Sequence, residues 1–298
     1  MNNMRYYDYI IAEIRLRSDI DIAAAGIRGF KPFEVEYDSE ATIDCSFTAN
    51  EELSRDEFVI ERHLSDFYAA ETQAECQLWK TTTGYLYAVK RRDNEREMLY
   101  HIDLATHHIV GNSVCHDTLD ISQMRFAMWV MFGVVLSEKQ AIAIHSSTIE
   151  KRGRCILFLG ESGTGKSTHT RLWRENIEDA HLLNDDSPII RFKDGEARVY
   201  GSPWSGKTPC YRNLSYPIAG FCRLSQAPHN AIRKLPTIAA IGALLPSCPP
   251  AFAHDDYLQD LICGTLGEIL RRVPTYHLEC LPNKEAAELS YSTIIGNE

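Results

Sequence analysis

The sequence predicts an α/β protein of two regions. A mainly antiparallel β region spans residues 1–120, and an α/β domain that includes a connecting helix spans residues 121–298. Before Asp117, short runs rich in aromatic and β-branched residues alternate apolar and polar positions, a pattern typical of strands. From Gln140, apolar strands alternate with helical patterns, which predicts a sheet covered by helices.

Composition narrows the class of protein. The chain has 298 residues, of which 44% are hydrophobic and 24% charged, so it holds enough apolar residues for a sizeable core and is not disordered. Its formal net charge is −10 and it contains no long basic run. We therefore expect neither a nucleic acid nor a membrane as partner.

Cysteine usage and the chain start predict a cytoplasmic protein. The nine cysteines are scattered without a C-x-x-C pair, which indicates reduced thiols. In the first residues, charged side chains lie close to a short apolar run, so a signal peptide is not expected. The longest apolar stretch, Phe126–Leu136, is about half as long as a membrane-spanning helix and predicts a buried helix.

The β region is expected to be an antiparallel meander with turns at Thr81–Gly84 and Arg91–Glu95. Strands are predicted over Tyr6–Ile14, Glu57–His63, Cys76–Lys80, Tyr85–Val89, Met98–Leu104 and His108–Val110. A helix is predicted from about Ser122 to Ser137, with Asp120 or Ser122 as its N-cap.

The second region begins with two predicted strands, Ala141–Ile149 and Cys155–Leu159, joined by a tight charged turn. A Lys193–Glu196 segment with an Asp-Gly step predicts a hairpin between Ile189–Phe192 and Ala197–Tyr200. Further strands are predicted over His181–Asn184, Ile218–Leu224 and Thr275–Cys280, and helices over Gly165–Asn176, Thr237–Leu245, Asp255–Arg272 and from Lys284.

The sharpest motif is Gly160-Glu161-Ser162-Gly163-Thr164-Gly165-Lys166-Ser167, a complete Walker A string between a predicted strand and a predicted helix. Its glycines let backbone N–H groups turn inward and form an anion-binding nest at a helix N-terminus. We expect Lys166 to reach the β- and γ-phosphates of a nucleotide and the Ser167 hydroxyl to bind Mg²⁺. The alternative is a chance match in a glycine turn, expected in about 1 in 100 chains of this length.

A nucleotide-binding loop of this kind also needs a carboxylate for Mg²⁺ at the end of a neighbouring strand. Asp185 and Asp186 follow the predicted strand His181–Asn184. Because adjacent strand residues project to different sides, one carboxylate can face the metal and the other an acceptor. The alternative is an ordinary polar turn over residues 184–188.

His145, the loop Gly160–Ser167 and the segment Asn184-Asp185-Asp186, in this order, resemble the catalytic domain of HPr kinase/phosphorylase. That domain is related to ATP-dependent phosphoenolpyruvate carboxykinases, which share the glycine-rich loop and an Asp-Asp segment. In HPr kinases a histidine lies on the preceding strand, at the spacing that separates His145 from Gly160 here. The resemblance extends from Gln140 to the end and implies a P-loop kinase domain of this type.

The resemblance implies a role for each matching residue. Lys166 matches the phosphate-clamping lysine and Ser167 the Mg²⁺-binding serine. Asp185 matches the general base on the acceptor hydroxyl, Asp186 matches the metal-binding aspartate, and His145 lines the reaction centre. The implied cofactors are ATP and Mg²⁺, and the implied nucleotide-binding positions are Gly160, Glu161, Ser162, Gly163, Thr164, Gly165, Lys166, Ser167 and Thr168.

The chain also departs from HPr kinases. Residues 1–120 do not resemble their N-terminal domain, and Gly201–Lys207 looks instead like a G-S-P-W-x-G-K segment of divergent HPr-kinase-like proteins. In this segment Lys207 offers a cation for a phosphate or a carboxylate, and Arg212 is a second candidate cation. Trp204 offers a flat apolar surface, or it is a tryptophan buried beneath a surface turn.

The resemblance implies a kinase that transfers the γ-phosphoryl group of ATP to a serine-type hydroxyl in a peptide, a protein or a small metabolite. Two alternatives stay open: a carboxykinase-like enzyme acting on a phosphoenolpyruvate-type substrate, and a non-catalytic nucleotide sensor or scaffold. A carboxykinase would need a convergent cluster of substrate-binding arginines, which the sequence does not indicate. A sensor or scaffold would not need a general base such as the aspartate pair offers. A homo-oligomer is also open, because HPr kinases assemble as hexamers.

Overall fold

A computed structural model describes residues 5–69, 74–91, 97–112, 117–206 and 208–296. It confirms a mixed α/β architecture with large sheets and divides into two compact units. Unit 1 contains Met1–Val135 and Ala251–Asp256, and unit 2 contains Leu136–Pro250 and Tyr257–Glu298. The division at 135/136 lies near the end of the long helix, whereas the sequence placed a boundary before it, at 120/121.

Unit 1 is built on a mixed sheet with the strand order β3-β1-β2-β4-β9-β8-β7-β6-β5. Strands β5 to β9 form the predicted antiparallel meander. The strands are β1 Tyr7–Ile11, β2 Ile14–Ser18, β3 Glu34–Val35, β4 Cys45–Ala49, β5 Ile60–Ala69, β6 Ala74–Thr81, β7 Gly84–Arg91, β8 Glu97–Asp103 and β9 His108–Gly111.

This sheet differs from the prediction in its first strands and in β5, which spans Ile60–Ala69 where Glu57–His63 was predicted. The predicted strand Tyr6–Ile14 is a hairpin, because Ala12 and Glu13 have φ values of 52° and 62° and reverse the chain between β1 and β2. Strands β3 and β4 were not predicted, and β4 pairs in parallel with both β2 and β9. The long connection over residues 19–44 allows this parallel pairing, which a short turn cannot make.

Helix α1 spans Thr118–Glu138 and begins earlier than predicted. Its cap is Asp117, not Asp120 or Ser122: the Asp117 carboxylate accepts from the N–H groups of Leu119 at 2.8 Å and Asp120 at 2.9 Å. By length and composition this helix could cross a membrane, but 67% of its apolar window is buried inside the protein. Such burial is typical of a core helix.

A short segment from the second half of the chain completes unit 1. Asp255, in Ala251–Asp256, has a fully buried side chain. It accepts hydrogen bonds from Arg62 Nη2 at 3.0 Å, Lys80 Nζ at 3.1 Å and Tyr85 Oη at 2.8 Å. The donors lie on strands β5, β6 and β7, so one carboxylate links three neighbouring strands.

Unit 2 has a second mixed sheet, with the order β10-β14-β15-β16-β12-β11-β13, and β18 pairs with β16 and β17. The long strand β16 pairs in parallel with both β12 and β18. Its strands are β10 Ala141–Ala143, β11 Ser146–Lys151, β12 Arg154–Leu159, β13 His181–Asp186, β14 Ile189–Lys193, β15 Glu196–Tyr200, β16 Ser215–Gln226, β17 Ala231–Lys234 and β18 Thr275–Cys280.

The predicted strand Ala141–Ile149 is broken at Ile144 and His145. Strand β10 pairs with β14, whereas β11 pairs with β12 and β13, so the chain changes partners at this point. At the break, the N–H of Ile144 donates to Pro188 O and that of His145 to Ser247 O. The prediction that His145 lies on a strand is therefore wrong: it lies in the connection between β10 and β11.

The helices of unit 2 agree closely with the prediction. They are α2 Lys166–Asn176, α3 Thr237–Leu244, α4 Asp256–Leu270, whose first residue belongs to unit 1, and α5 Lys284–Ile294. Helices α2 and α5 pack together over one face of the sheet around Phe158, Trp173 and Leu278. This packing fixes α2 directly behind the end of β12.

Candidate functional site

The glycine-rich loop, residues 160–167, connects β12 to α2 and is shaped by three glycines. Gly160, Gly163 and Gly165 have φ values of 150°, 84° and 103°, which side-chain-bearing residues rarely adopt. A Cβ atom at Gly160 would lie 2.5 Å from Thr164 Oγ1, so this position also lacks space for a side chain. The loop therefore has the backbone shape that its sequence predicts, at the N-terminus of a helix.

Lys166 folds back over this loop. Its Nζ donates to Gly160 O at 2.7 Å and to Glu161 O at 3.1 Å. Partial burial lowers the pKa of Lys166, and the nearby carboxylates of Asp186 and Asp185 oppose that shift. The ammonium group therefore lies at the loop and within the electrostatic reach of both carboxylates.

Asp185 and Asp186 are the last two residues of β13, which is longer than predicted. Asp185 is buried, and its Oδ1 accepts a hydrogen bond from Ser167 Oγ at 3.1 Å. Strand β11 carries Ser147 in register with Asp185, and Ser147 Oγ lies 3.0 Å from Thr170 Oγ1 on α2. These contacts connect the strand that carries the carboxylates to the helix that follows the loop.

His145 contacts the second carboxylate. Its Nδ1 lies 3.1 Å from Asp186 Oδ1, and its side chain is 46% exposed. When the imidazole is neutral, an Nδ1–H donated to Asp186 leaves Nε2 as an acceptor. The hydrogen-bonded pair of His145 and Asp186 can therefore accept a proton from a hydroxyl group that approaches it.

The structure brings together Lys166, Ser167, Asp185, Asp186 and His145, but it pairs them differently from the resemblance. Ser167 contacts Asp185, the aspartate expected to be the base, and His145 contacts Asp186, the aspartate expected to bind the metal. The contacts group Asp185 with the helix side of the site and Asp186 with His145.

These residues fit Mg²⁺ and a nucleotide triphosphate. A serine hydroxyl and a carboxylate 3.1 Å apart are the hard oxygen donors that Mg²⁺ takes together with phosphate oxygens. The glycine cradle, which a Cβ at residue 160 would fill, suits a phosphate group. Within the described ranges, no three His, Cys, Asp or Glu side chains converge on a metal position. Mg²⁺ in phosphate-binding sites usually has one or two carboxylates, phosphate oxygens and several waters as ligands.

The remaining predicted positions of the loop lie at its surface or its helix. Glu161 and Ser162 are exposed, while Thr164 and Thr168 are half-buried. Thr164 Oγ1 donates to Glu161 O at 2.8 Å, which closes the turn. Lys207 lies outside the described residues, and Arg212 is exposed.

The sequence missed the part that Asn184 plays. Its side chain is fully buried, and it holds the segment that carries Trp204 against the end of β13. Trp204 is only 3% exposed, so it is a buried residue rather than an open apolar surface. An amide directly after the apolar pair Leu182-Leu183 and directly before two aspartates is the sequence signal that could have drawn attention to it.

No protein-family model and no curated protein matches the chain. Among solved structures, the Hpr(Ser) kinase/phosphatase from Coxiella burnetii is similar in structure, at 11% sequence identity and a TM-score of 0.30. The match covers 51% of this chain and 93% of that chain.

Proposed function

We propose that the chain is a kinase that transfers the γ-phosphoryl group of ATP to a hydroxyl acceptor, with Mg²⁺ bound between Ser167 and Asp185. One observation supports it best. A glycine-rich loop, a lysine, a serine, two carboxylates and a histidine converge at one end of the unit 2 sheet. Phosphoryl transfer needs this set, because it depends on positioning and charge stabilisation rather than on a protein nucleophile.

The loop and Lys166 hold the donor. Backbone N–H groups at the start of α2 and the Lys166 ammonium stabilise negative charge on the phosphates. Mg²⁺ bound at Ser167 and Asp185 would neutralise the β- and γ-phosphate oxygens. The Lys166 ammonium already lies at the loop that would bind the phosphates, where it donates to Gly160 O and Glu161 O.

Asp186 and His145 act on the acceptor. As the acceptor oxygen attacks, a new O–P bond forms and the bond between the γ-phosphorus and the β–γ bridging oxygen breaks, releasing ADP. The acceptor proton passes to Asp186, which His145 keeps oriented through its 3.1 Å contact. In this proposal Asp186 is the base and Asp185 the metal ligand, the reverse of what the family resemblance implies.

The acceptor we propose is a serine-type hydroxyl in a peptide, a protein or a small metabolite. An aliphatic hydroxyl needs a base close to the transferred group, and the exposed His145 places Asp186 at the accessible side of the site. The 201–206 segment contacts the backbone of Asp185 and Asp186, and we propose that it contributes to acceptor selection.

The test is phosphoryl transfer from γ-labelled ATP with Mg²⁺, offering free serine, HPr and serine-containing peptides as acceptors. We expect label on one acceptor class, and a loss of about 100-fold or more in Lys166→Ala. Lys284→Ala is the matched control, because Lys284 is an exposed lysine on α5.

Two results would contradict the proposal. Mg·ATP binding without transfer or hydrolysis, unaffected by Asp186→Asn, would favour a nucleotide sensor. Transfer that required a phosphoenolpyruvate-type substrate would favour a carboxykinase.

A further inference from the structure

The side-chain amide of Asn184 makes hydrogen bonds inside the protein through both its nitrogen and its oxygen. Its Nδ2 donates to Trp204 O at 2.9 Å and to Ser202 Oγ at 3.3 Å, and its Oδ1 accepts from the N–H of Ser187 at 3.0 Å. The side chains of Asn184 and Ser202 are both fully buried. The amide therefore connects the end of β13 with the segment that follows β15.

Ser202 extends this connection to the residue after the carboxylates. Its hydroxyl donates to Ser187 O at 2.5 Å and accepts from the N–H of Trp204 at 3.2 Å. Because the single hydroxyl proton is used on Ser187, the Ser202 oxygen is left to accept from the Asn184 amide. Ser187 is thus held through both its N–H and its C=O, directly beside Asp186.

The same segment also contacts the backbone of the two aspartates. The N–H of Gly206 donates to Asp185 O at 2.8 Å, and Ser205 forms an antiparallel β-bridge with Asp186. The 201–206 segment therefore pairs with the end of β13 through one β-bridge and one further backbone hydrogen bond, at the two residues that carry the carboxylates. A displacement of this segment moves the backbone that carries Asp185 and Asp186.

We infer that Asn184 is a positioning residue for the proposed phosphoryl transfer, coupling the 201–206 segment to the Asp185-Asp186 pair. This inference rests on the proposed function. In this role Asn184 does not touch the reacting atoms. It fixes the position and orientation of the two carboxylates through the backbone of residues 184–187 and 202–206. A misplacement of about 1 Å in such a group can reduce a rate by about 100-fold.

The experiment compares Asn184→Asp and Asn184→Ala with wild type. The Asp variant keeps the shape and the Oδ1 acceptor but loses the donors to Trp204 and Ser202. Three quantities are measured: kcat for transfer or ATP hydrolysis, the Kd of Mg·ATP, and deuterium exchange of amides in residues 201–206. Ser202→Ala is a milder second variant in case an Asn184 variant does not fold.

Asn112 in unit 1 provides the matched control. Its amide is also buried and bonded on both sides, accepting from the N–H of Leu99 at 2.7 Å and donating to Glu97 O at 3.0 Å. Asn112→Ala therefore removes a comparable buried amide far from the proposed chemistry in sequence. We expect it to lower stability without changing kcat or the exchange of residues 201–206.

For the Asn184 variants we expect faster exchange in residues 201–206 and a kcat lowered by about 10- to 100-fold. The Kd of Mg·ATP should stay within about threefold, because Lys166 and the loop are not altered. An active Asn184→Ala protein with unchanged kcat and exchange would overturn the inference while leaving the kinase proposal intact. A wild-type protein without any turnover would overturn the kinase proposal itself, and the inference with it.

Discussion

Asp185 and Asp186 are neighbours in sequence but have different partners, Ser167 and His145. Their substitutions should therefore affect different quantities. We expect Asp185→Asn to weaken the Mg²⁺ dependence of nucleotide binding, because it removes a charged oxygen donor. We expect Asp186→Asn to lower turnover by about 100-fold or more with little change in the Kd of Mg·ATP, because it removes the proton acceptor.

Titration calorimetry with and without Mg²⁺, beside turnover assays, separates the two effects. The opposite pattern, with Asp186 controlling Mg²⁺ affinity, would restore the assignment that the family resemblance implies.

A side chain at position 206 would clash with the backbone of Asp185 and contact the Asp186 side chain. A Cβ atom there would be 2.7 Å from Asp185 O and 3.4 Å from Asp186 Cβ. We expect Gly206→Ala to displace the 201–206 segment and to lower turnover by about 10-fold or more. Gly242→Ala is the control, because nothing lies within 4 Å of its added Cβ in helix α3, and it should be neutral or slightly stabilising.

His169, on α2, should make stability depend on pH. Burial lowers its pKa to about 4, whereas an unfolded histidine titrates near 6.5. Between these values the unfolded chain binds a proton that the folded chain does not, so the free energy of unfolding falls as pH drops from about 6.5 to about 4. The loss can reach roughly 3 kcal/mol, and the contribution is fully present above about pH 6.5.

Urea unfolding of His169→Gln at a pH of about 7.5 and of about 5 measures this dependence. The destabilisation caused by the substitution should shrink at the lower pH. The exposed His229 is the control, and an equal destabilisation at both pH values would contradict the expectation.

At the scale of elements, Ser290 joins the two helices behind the glycine-rich loop. Its hydroxyl accepts from Trp173 Nε1 at 2.9 Å and lies 3.0 Å from His169 Nε2, while its proton is directed to Ala287 O. His169 therefore carries its proton on Nε2. Its Nδ1 has no hydrogen-bond partner within the described part of the chain.

Ser290→Ala should leave two buried donors on α2 without their acceptor. We expect a loss of about 2 to 6 kcal/mol in the free energy of unfolding, because each of the two unsatisfied buried donors costs about 1 to 3 kcal/mol. Chemical denaturation with an unchanged m-value measures it. Ser292→Ala is the control, because Ser292 on α5 is exposed, and an equal loss there would show that the effect is not specific to the α2–α5 contact.

The elements that sequence reasoning predicted well are those with strong local signals. Strand β18 matches its predicted range, and the β14–β15 hairpin has φ values of 52° and 81° at Asp194 and Gly195, as its Asp-Gly step indicates. The break at His145 was not predictable from local propensity, because the apolar Ala141–Ile144 run before it and the β-rich Ser146–Ile149 run after it both read as strand. It is caused by a change of pairing partner, which is a property of the sheet and not of the segment.

For the candidate site, the sequence predicted which residues come together but not which of them contact each other. The motif letters and the strand end identified Lys166, Ser167 and the aspartate pair, and the structure brings them together with His145. Which aspartate contacts Ser167 depends on how β13 lies beside β11, and a sequence of adjacent identical residues does not contain that information. The connection made by Asn184 depends on a contact across 20 residues and was equally hidden.

At the scale of the molecule, Asp255 is a single residue on which much of unit 1 depends. Removing its carboxylate takes away the common acceptor of Arg62, Lys80 and Tyr85. We expect Asp255→Ala to destabilise unit 1 by roughly 2 kcal/mol, less than a fully buried ion pair would cost, because Arg62 is half exposed.

Deuterium exchange in β6 and β7 measures this effect. The exposed Asp256, in the first turn of α4, provides the control, and Asp256→Asn should change stability by only a few tenths of a kcal/mol. Unchanged exchange in β7 after Asp255→Ala would show that strand pairing and apolar contacts hold these strands without the carboxylate.

The position of Asp255 in the chain also bears on synthesis. A ribosome makes all strands of unit 1 first, then residues 136–250, and only afterwards the segment Ala251–Asp256. Domains usually fold in the order in which they are translated. Strands β5–β7 are therefore synthesised well before Asp255, the common acceptor of their Arg62, Lys80 and Tyr85 side chains. The glycine-rich loop and the Asp185-Asp186 pair are also made before that carboxylate becomes available.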